Sequence, residues 1–378
     1  MEIIKRKIQD SVGKALFKGK IVIIYGARQV GKTTLVKEIQ KKYLAESIYL
    51  NCDEPDIREA FSDKTSTEIK AYLGKAKIVI LDEAQRIKNI GLTLKLMADN
   101  FPEIQIIATG SSSFDLSSKI AEPLTGRKNE FFLYPFSYSE LKAIYSDLEL
   151  NRLLEQRIIF GMYPEVIEGG KEAEKNLKSL AKSYLYKDIL EFQGIRNSEA
   201  IEKLLQALAL QIGDEVSYNE LAQTVGIDKN TVANYIQILE KAFIIFRLNP
   251  YSRNLRSELK ELRKIYFFDT GVRNAIINNL NPLNLRQDVG ALWENFLISE
   301  RLKSNSNNGL DCNAYFWRTK EGKEIDYLED AGGKLSGFEI KWKKDKFKIP
   351  EIFLKTYAQS NITLINKNNY TDFIDRES

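Results

Sequence analysis

Gly26-Ala27-Arg28-Gln29-Val30-Gly31-Lys32-Thr33 is the stretch on which the fold turns. It follows the apolar run Ile21 to Tyr25 and leads into a helix, so it fills a strand-to-helix turn with the pattern GxxxxGK[ST] of a phosphate-binding P-loop. The chemistry explains the residue types. Glycine lets the backbone turn its amides toward phosphate, Lys32 supplies a point charge for the terminal phosphates, and the Thr33 hydroxyl is a hard ligand for Mg²⁺. The helix amino terminus adds its dipole. Gly26, Ala27, Arg28, Gln29, Val30, Gly31, Lys32, Thr33 and Thr34 are therefore the expected ATP contacts. Background composition would match this pattern by chance on the order of once in a hundred chains of this length.

Working outward, residues 1 to about 150 alternate short apolar strands with helices, the pattern of a parallel sheet covered on both faces. Ile21 to Tyr25, Ile48 to Leu50, Ile78 to Leu81 and Ile104 to Ala108 are the expected strands, with Glu130 to Leu133 a fifth. Lys77 to Glu83 reads as a buried strand that ends in two carboxylates. Asp82 there would hold the Mg²⁺ water shell, and Glu83 would polarise the water that attacks the γ-phosphate. Acidic capping of the next helix would favour the same two residues. The following strand ends in Ala108-Thr109-Gly110-Ser111-Ser112-Ser113, where Thr109 or Ser111 can sense the γ-phosphate and where a serine-rich turn is the competing explanation. In Leu124-Thr125-Gly126-Arg127, Arg127 is a candidate for stabilising transition-state charge, in cis or from a neighbouring subunit, and Arg28 competes for that role.

Composition narrows the chemistry. The 378 residues contain no histidine, which excludes histidine triads, histidine-ligated haem and most catalytic zinc sites. Two cysteines, Cys52 and Cys312, give no disulfide framework and fit a reducing cytosol. The formal charge of +4 is too small to signal nucleic acid by itself, so any basic footprint is local. No segment has the length and apolarity of a membrane span or a signal peptide. At this length two or three domains are expected.

Residues 151 to about 210 turn helical, with Gly194 and Gly213 as interruptions. Ser217 to Leu248 then contains a short helix, the turn Val225-Gly226-Ile227-Asp228 and an amphipathic helix, the grammar of a helix-turn-helix. Leu221, Ala222, Val225, Ile227, Val232 and Ile236 form its expected core, with Lys229, Asn230, Asn234 and Tyr235 outside, types that suit phosphates and base edges. Such modules also bind proteins, and the exposed face carries one lysine. Further on come a strand at Ile265 to Phe268, a helix at Asp288 to Lys303, a polar loop at Ser304 to Gly309 and a hairpin from Glu324 to Lys341. Alternation puts Glu339 and Lys341 on one strand face. With Asp326, and with Glu294 from the preceding helix, they make a set able to bind a second Mg²⁺ or Mn²⁺ and activate a water for phosphodiester attack, with Lys341 beside the reacting group. Lys341-Trp342-Lys343-Lys344-Asp345-Lys346-Phe347-Lys348 interleaves basic and aromatic side chains as a backbone-tracking surface does, and a lysine-guarded edge strand explains it too.

Gly26 to Thr33, Ile78 to Gln85, and Leu124-Thr125-Gly126-Arg127 with Tyr134-Pro135-Phe136 resemble the AAA-type ATPases of bacteria and archaea. With Gly161 to Val166, Phe267-Phe268-Asp269-Thr270-Gly271 and Trp317-Arg318-Thr319, almost the whole chain resembles the predicted ATPases that join this module to a carboxy-terminal domain of unknown function. The resemblance implies an α/β chain of four parts: an AAA+ type P-loop NTPase domain at 1–150, a helical connector at 151–212, a winged helix-turn-helix at 213–264 and a PD-(D/E)XK nuclease-like α/β domain at 265–378. It assigns Glu294, Asp326, Glu339 and Lys341 to the active positions of the nuclease-like fold. Glu324-Ile325 stands where that family has a proline. The expected function is an Mg-ATP hydrolase coupled to nucleic-acid binding and a metal-dependent nuclease. The alternative is an ATP-controlled protein-interaction switch without nuclease activity, and the oligomeric state is not readable.

Overall fold

The computed structural model describes residues 3–111, 116, 120, 122–190, 197–252 and 263–375, so Ser112, Ser113 and Gly194 lie outside the described residues. The chain divides into two compact units, 1–135 with 241–243, and 136–240 with 244–378.

In the first unit, five parallel strands run β1 (Ile21–Tyr25), β2 (Ser47–Asn51), β3 (Ile78–Asp82), β4 (Gln105–Gly110) and β5 (Lys128–Phe132), in the sheet order β2-β3-β4-β1-β5. Strands β1, β3 and β4 are buried at every position, as continuous Val and Ile runs require when helices cover both faces. β5 is an edge strand and only half buried, which is why its polar start, Lys128 and Asn129, escapes an apolar-run search. Gly31, at φ 95°, ends the P-loop and opens the helix Lys32–Lys41. This places the loop at the carboxyl edge of β1 beside the ends of β3 and β4, where ligands of open parallel sheets collect.

The second unit begins with helices, among them Asp147–Phe160, Ala173–Leu190 and Ser198–Leu210. The first opens with a reciprocal cap between Ser146 and Glu149, and Asn197 caps the last. After the turn at Gly213 come β6 (Glu215–Val216), the helices Tyr218–Val225 and Lys229–Lys241, β7 (Ile245–Pro250) and β8 (Arg263–Phe267). Gly226, at φ 79°, ends the first of these two helices in the left-handed conformation that glycine permits. Leu221, Val225, Val232 and Ile236 are buried, and Lys229, Asn230 and Asn234 are exposed. Tyr235 departs from expectation: it is buried, because its helix packs a wider stripe than the spacing suggests.

The strands β9 (Asn313–Arg318), β10 (Glu324–Ala331), β11 (Lys334–Ile340) and β12 (Asn361–Ile365) join the same sheet, in the order β12-β11-β10-β9-β7-β8-β6. β7 pairs with β9 in parallel through Asn249 and Pro250, so one sheet runs across the 264/265 boundary drawn from the sequence. The expected loop at Ser304 is instead the end of the helix Val289–Asn307. Its polar residues turn inward, and the Asn305 amide donates to Glu329 Oε1 at 2.7 Å. Among the described residues no helix is long and apolar enough to cross a membrane.

Two sequence signatures prove to be one packed pair. Met162 and Val272 donate backbone N–H groups to the buried Asp269 carboxylate at 2.7 and 3.0 Å. A Cβ on Gly161 would sit 2.0 Å from that carboxylate.

Candidate nucleotide site and carboxylate cluster

The first unit gathers its chemistry at the ends of β1, β3 and β4. The Lys32 ammonium, nearly fully buried, donates to the Gly26 and Ala27 carbonyls at 2.9 Å each and lies 3.8 Å from Glu83. Its charge is thus held over its own loop. The Thr33 hydroxyl donates to Asp82 Oδ2 at 2.7 Å, and Thr109 donates to the other oxygen of the same carboxylate. Two hard oxygen groups side by side fit Mg²⁺, which takes one or two protein carboxylates and fills its octahedron with water and phosphate.

Glu83 takes a left-handed backbone, φ 54°, which turns its N–H onto the Thr109 hydroxyl at 3.1 Å. Its side chain accepts from Gln85 Nε2 at 2.5 Å, and the same nitrogen reaches Ser111 Oγ at 3.0 Å. Gln85 therefore links the carboxylate to the tip of β4. Tyr49, on β2, donates to Asp82 Oδ2 at 2.6 Å, and burial together with Asp82 pushes its phenol well above the ordinary range. It stays a donor. Cys52, buried beside these carboxylates, is pushed up to about 12 by burial first and Asp82 second, so this thiol is inert at neutral pH.

Thr34 is exposed on the first helical turn, and Arg28 is half buried in the loop. Gln29 is exposed, whereas Ala27 and Val30 are buried, so these two contribute backbone rather than side chain. Arg127 is not brought to this site. It precedes β5 at the level of Ile21, whose N–H bonds its carbonyl, and its guanidinium pairs with Asp99 at 2.7 Å. A five-residue strand, about 16 Å long, separates that edge from the P-loop. Of the two expected roles, the one in cis does not fit this placement. Tyr49 and Gln85 were missed in the sequence, although Gln85 closes the stretch Ile78 to Gln85, two residues past Glu83.

The second unit assembles the other expected set. Asp326 accepts from Ile340 N–H at 2.8 Å and from Lys341 at 3.2 Å, and Lys341 also pairs with Glu339 at 2.8 Å. Glu294 accepts from the Tyr266 hydroxyl at 2.6 Å and pairs with Lys264 at 3.3 Å. Lys264, on β8, also pairs with Glu324, and Arg318 pairs with Glu215 at 3.0 Å. The four expected residues thus share one neighbourhood, but two lysines divide it. Among the described residues no group of three or more His, Cys, Asp or Glu side chains is arranged to hold a metal ion. The three-carboxylate metal set is corrected on that ground, since Lys264 occupies Glu294. Asp326 and Glu339 remain the two carboxylates that share Lys341, and among the described residues the buried Glu339 Oε2 has no hydrogen-bond partner.

Burial raises the Glu294 carboxyl to about 7, with Lys264 opposing and Asp326 reinforcing the shift. A carboxyl with a raised folded value favours the folded state at low pH, and that contribution is lost as pH climbs from its unfolded value toward about 7. Glu294→Gln is therefore expected to gain stability relative to wild type between pH 5 and 8, read as the difference in urea midpoints. A difference that is flat with pH would contradict the assignment. The basic run after Ile340 is irregular rather than an edge strand. Trp342 is not open for stacking, with Lys367 lying 3.6 Å over its ring and Trp293 5.1 Å away.

Comparison with known proteins finds an AAA domain in the first part of the chain. A family model described as an AAA domain matches residues 18–142, and two domains of unknown function match 151–283 (DUF8612) and 289–371 (DUF4143). An uncharacterized protein of Mycobacterium tuberculosis is 26% identical over 346 residues, covering 90% of this chain and 74% of its own length. One from Haemophilus influenzae is 24% identical over 376 residues, covering 93% and 87%. Among solved structures, the RuvB Holliday junction branch migration motor of Thermotoga maritima is 17% identical and covers 68% of this chain and 95% of its own, with a TM-score of 0.33. That likeness is too slight to carry function. With its parallel sheet, its P-loop and the match over residues 18–142, the first unit is an AAA-type ATPase-like module.

Proposed function

We propose that the chain binds and hydrolyses Mg-ATP at the P-loop and uses the cycle to control nucleic-acid binding by its carboxy-terminal parts. The observation that carries the proposal is the hydrogen bond of Thr33 to Asp82 beside the buried Lys32. Lys32 would exchange its carbonyl partners for the β- and γ-phosphates, and Thr33 with Asp82 would hold the Mg²⁺, which neutralises phosphate charge when bound. Glu83 must leave Lys32 and Gln85 to orient the attacking water. Thr109 links the Asp82 carboxylate to the Glu83 backbone N–H through its hydroxyl. Arg127 would act on the nucleotide of a second copy.

The order helix, β6, two helices, β7 and β8, with β6 and β7 both antiparallel to β8, supports a winged helix over 213–264, preceded by the connector 151–212. Lys229, Asn230 and Asn234 would face nucleic acid. The exposed lysines at 343, 344, 346 and 348 would add a salt-sensitive contact to the backbone. Residues 265–378 are then the nuclease-like part, in which Lys341 steadies the Asp326 and Glu339 carboxylates and a divalent cation, when bound, would activate water. A second reading, an ATP-controlled protein-interaction switch, is favoured by the lysines that already match Glu294, Asp326 and Glu339.

Titration of labelled DNA and RNA against the protein, with and without ATP, tests the proposal. Binding that weakens steeply with salt and shifts with ATP is expected. No binding at low salt would replace nucleic acid by a protein partner. Cleavage with Mn²⁺ that is lost in Asp326→Ala and Lys341→Ala would establish the nuclease, and no wild-type cleavage under any condition would remove it.

A further inference from the structure

Arg6 precedes the helix Ile8–Ala15 and lies far from any motif in sequence, yet its side chain ends on the backbone of the P-loop. Ile4, Ile8 and Val12 are buried and fix the segment against the first unit, and Arg6 itself is only 6% exposed. One guanidinium nitrogen donates to the Val30 carbonyl at 2.6 Å, and another donates to the Tyr134 carbonyl at 2.6 Å.

Both bonds bear on the P-loop. A peptide unit is planar and trans, so a carbonyl of Val30 pinned toward Arg6 turns the Gly31 N–H the opposite way. That N–H is then left for an anion, the use a P-loop makes of its amides. At its other end the loop is held by the same neighbouring segment, since a Cβ on Gly26 would meet the Leu133 carbonyl oxygen at 2.2 Å. Leu133 in turn donates its N–H to the Tyr25 carbonyl at 2.7 Å. The loop is therefore clamped twice to residues 133–134, directly at Gly26 and through Arg6 at Val30. Directly after this segment, at Pro135 and Phe136, the chain passes from the first unit to the second.

We infer that Arg6 is a positioning residue that sets the P-loop for nucleotide and transmits its occupancy to Tyr134, at the exit of the chain from the nucleotide unit. The inference rests on the ATP reading of the site and names the part that carries its state outward. Arginine is required by geometry: its planar fork serves two carbonyls at once, whereas a single ammonium on a flexible stem does not hold both in fixed directions.

The test compares wild type, Arg6→Lys and Arg6→Met in the full chain. It measures the Kd of a fluorescent ATP analogue, kcat and KM for ATP, thermal unfolding without nucleotide, and hydrogen exchange of residues 133–136 with and without ATP. Arg6→Met is expected to raise Kd and KM about tenfold, the scale of one charged hydrogen bond, with kcat within about threefold. Arg6→Lys should fall between the two. The ATP-dependent change in exchange at 133–136 should be present in wild type and absent in Arg6→Met. A folded Arg6→Met with wild-type Kd and KM, even with a lower unfolding temperature, would mean that Arg6 only supports the fold and would overturn the inference. Wild type that neither binds nor hydrolyses ATP would overturn the nucleotide reading, and the role of Arg6 with it.

Discussion

Lys32→Ala is expected to lower kcat/KM for ATP by about 10³-fold, the range seen when one charge-stabilising group is removed from a water-poor site. The side chain is the only cation the P-loop pattern supplies, and it lies buried beneath the Gly26 and Ala27 carbonyls. Alanine keeps the helical position but strips both carbonyls of their donor, at a cost of about 1–3 kcal/mol in stability. Phosphate release measured over a range of Mg-ATP concentrations, together with the unfolding midpoint, separates the two effects. Loss of turnover in a folded protein is the expected outcome. Loss of turnover that merely follows unfolding would leave Lys32 with a structural role alone.

Gly271→Ala is expected to produce the largest loss of stability of any small substitution considered, about 3 kcal/mol or more, beyond the usual range for overpacking a core. A Cβ there would lie 2.0 Å from the Phe160 carbonyl oxygen and 2.7 Å from the Gly161 nitrogen. Both are backbone atoms, so no side-chain rotation relieves the clash. The damage falls where Asp269 holds the Met162 and Val272 amides, so the helix Thr270–Ile276 loses its seat against the end of Asp147–Phe160. Gly290→Ala is the control, because nothing lies within 4 Å of its Cβ and the position is helical. It should be neutral or stabilising by up to about 1 kcal/mol. Urea unfolding of both variants measures the contrast, and equal midpoints would show that the 160–161 backbone yields.

Local chemistry explains which parts could be seen in advance. The P-loop, Asp82, Glu83 and the buried strands are legible because each is written in consecutive residues: a glycine turn, an apolar run, an acidic end. Glycine signatures at 161 and 271 were equally visible, but their purpose was not, since it lies in a contact between segments more than a hundred residues apart. Distance also hid Arg6, Tyr49 and the pairing of β7 with β9, which has no connecting turn to announce it. The helical end at Ser304 to Asn307 was misjudged because polarity usually marks solvent, whereas here Asn305 faces Glu329. Arg127 stayed open between cis and trans because sequence shows that an arginine precedes a strand, not at which edge of the sheet that strand begins. Lys264, one of the two lysines that divide the carboxylate cluster, sits in a short strand that no motif marks.

The central claim is that one edge of a parallel sheet hydrolyses ATP, with Glu83 directing water and the P-loop holding phosphate. Glu83→Gln tests it most directly, because glutamine keeps the size of the side chain and an oxygen that can accept from Gln85, while it removes the basicity and the charge beside Lys32. ATP affinity and single-turnover phosphate release should be measured on the same preparation. The account predicts affinity within about threefold of wild type and phosphate release slowed by about 10²-fold or more. Release at the wild-type rate would contradict it.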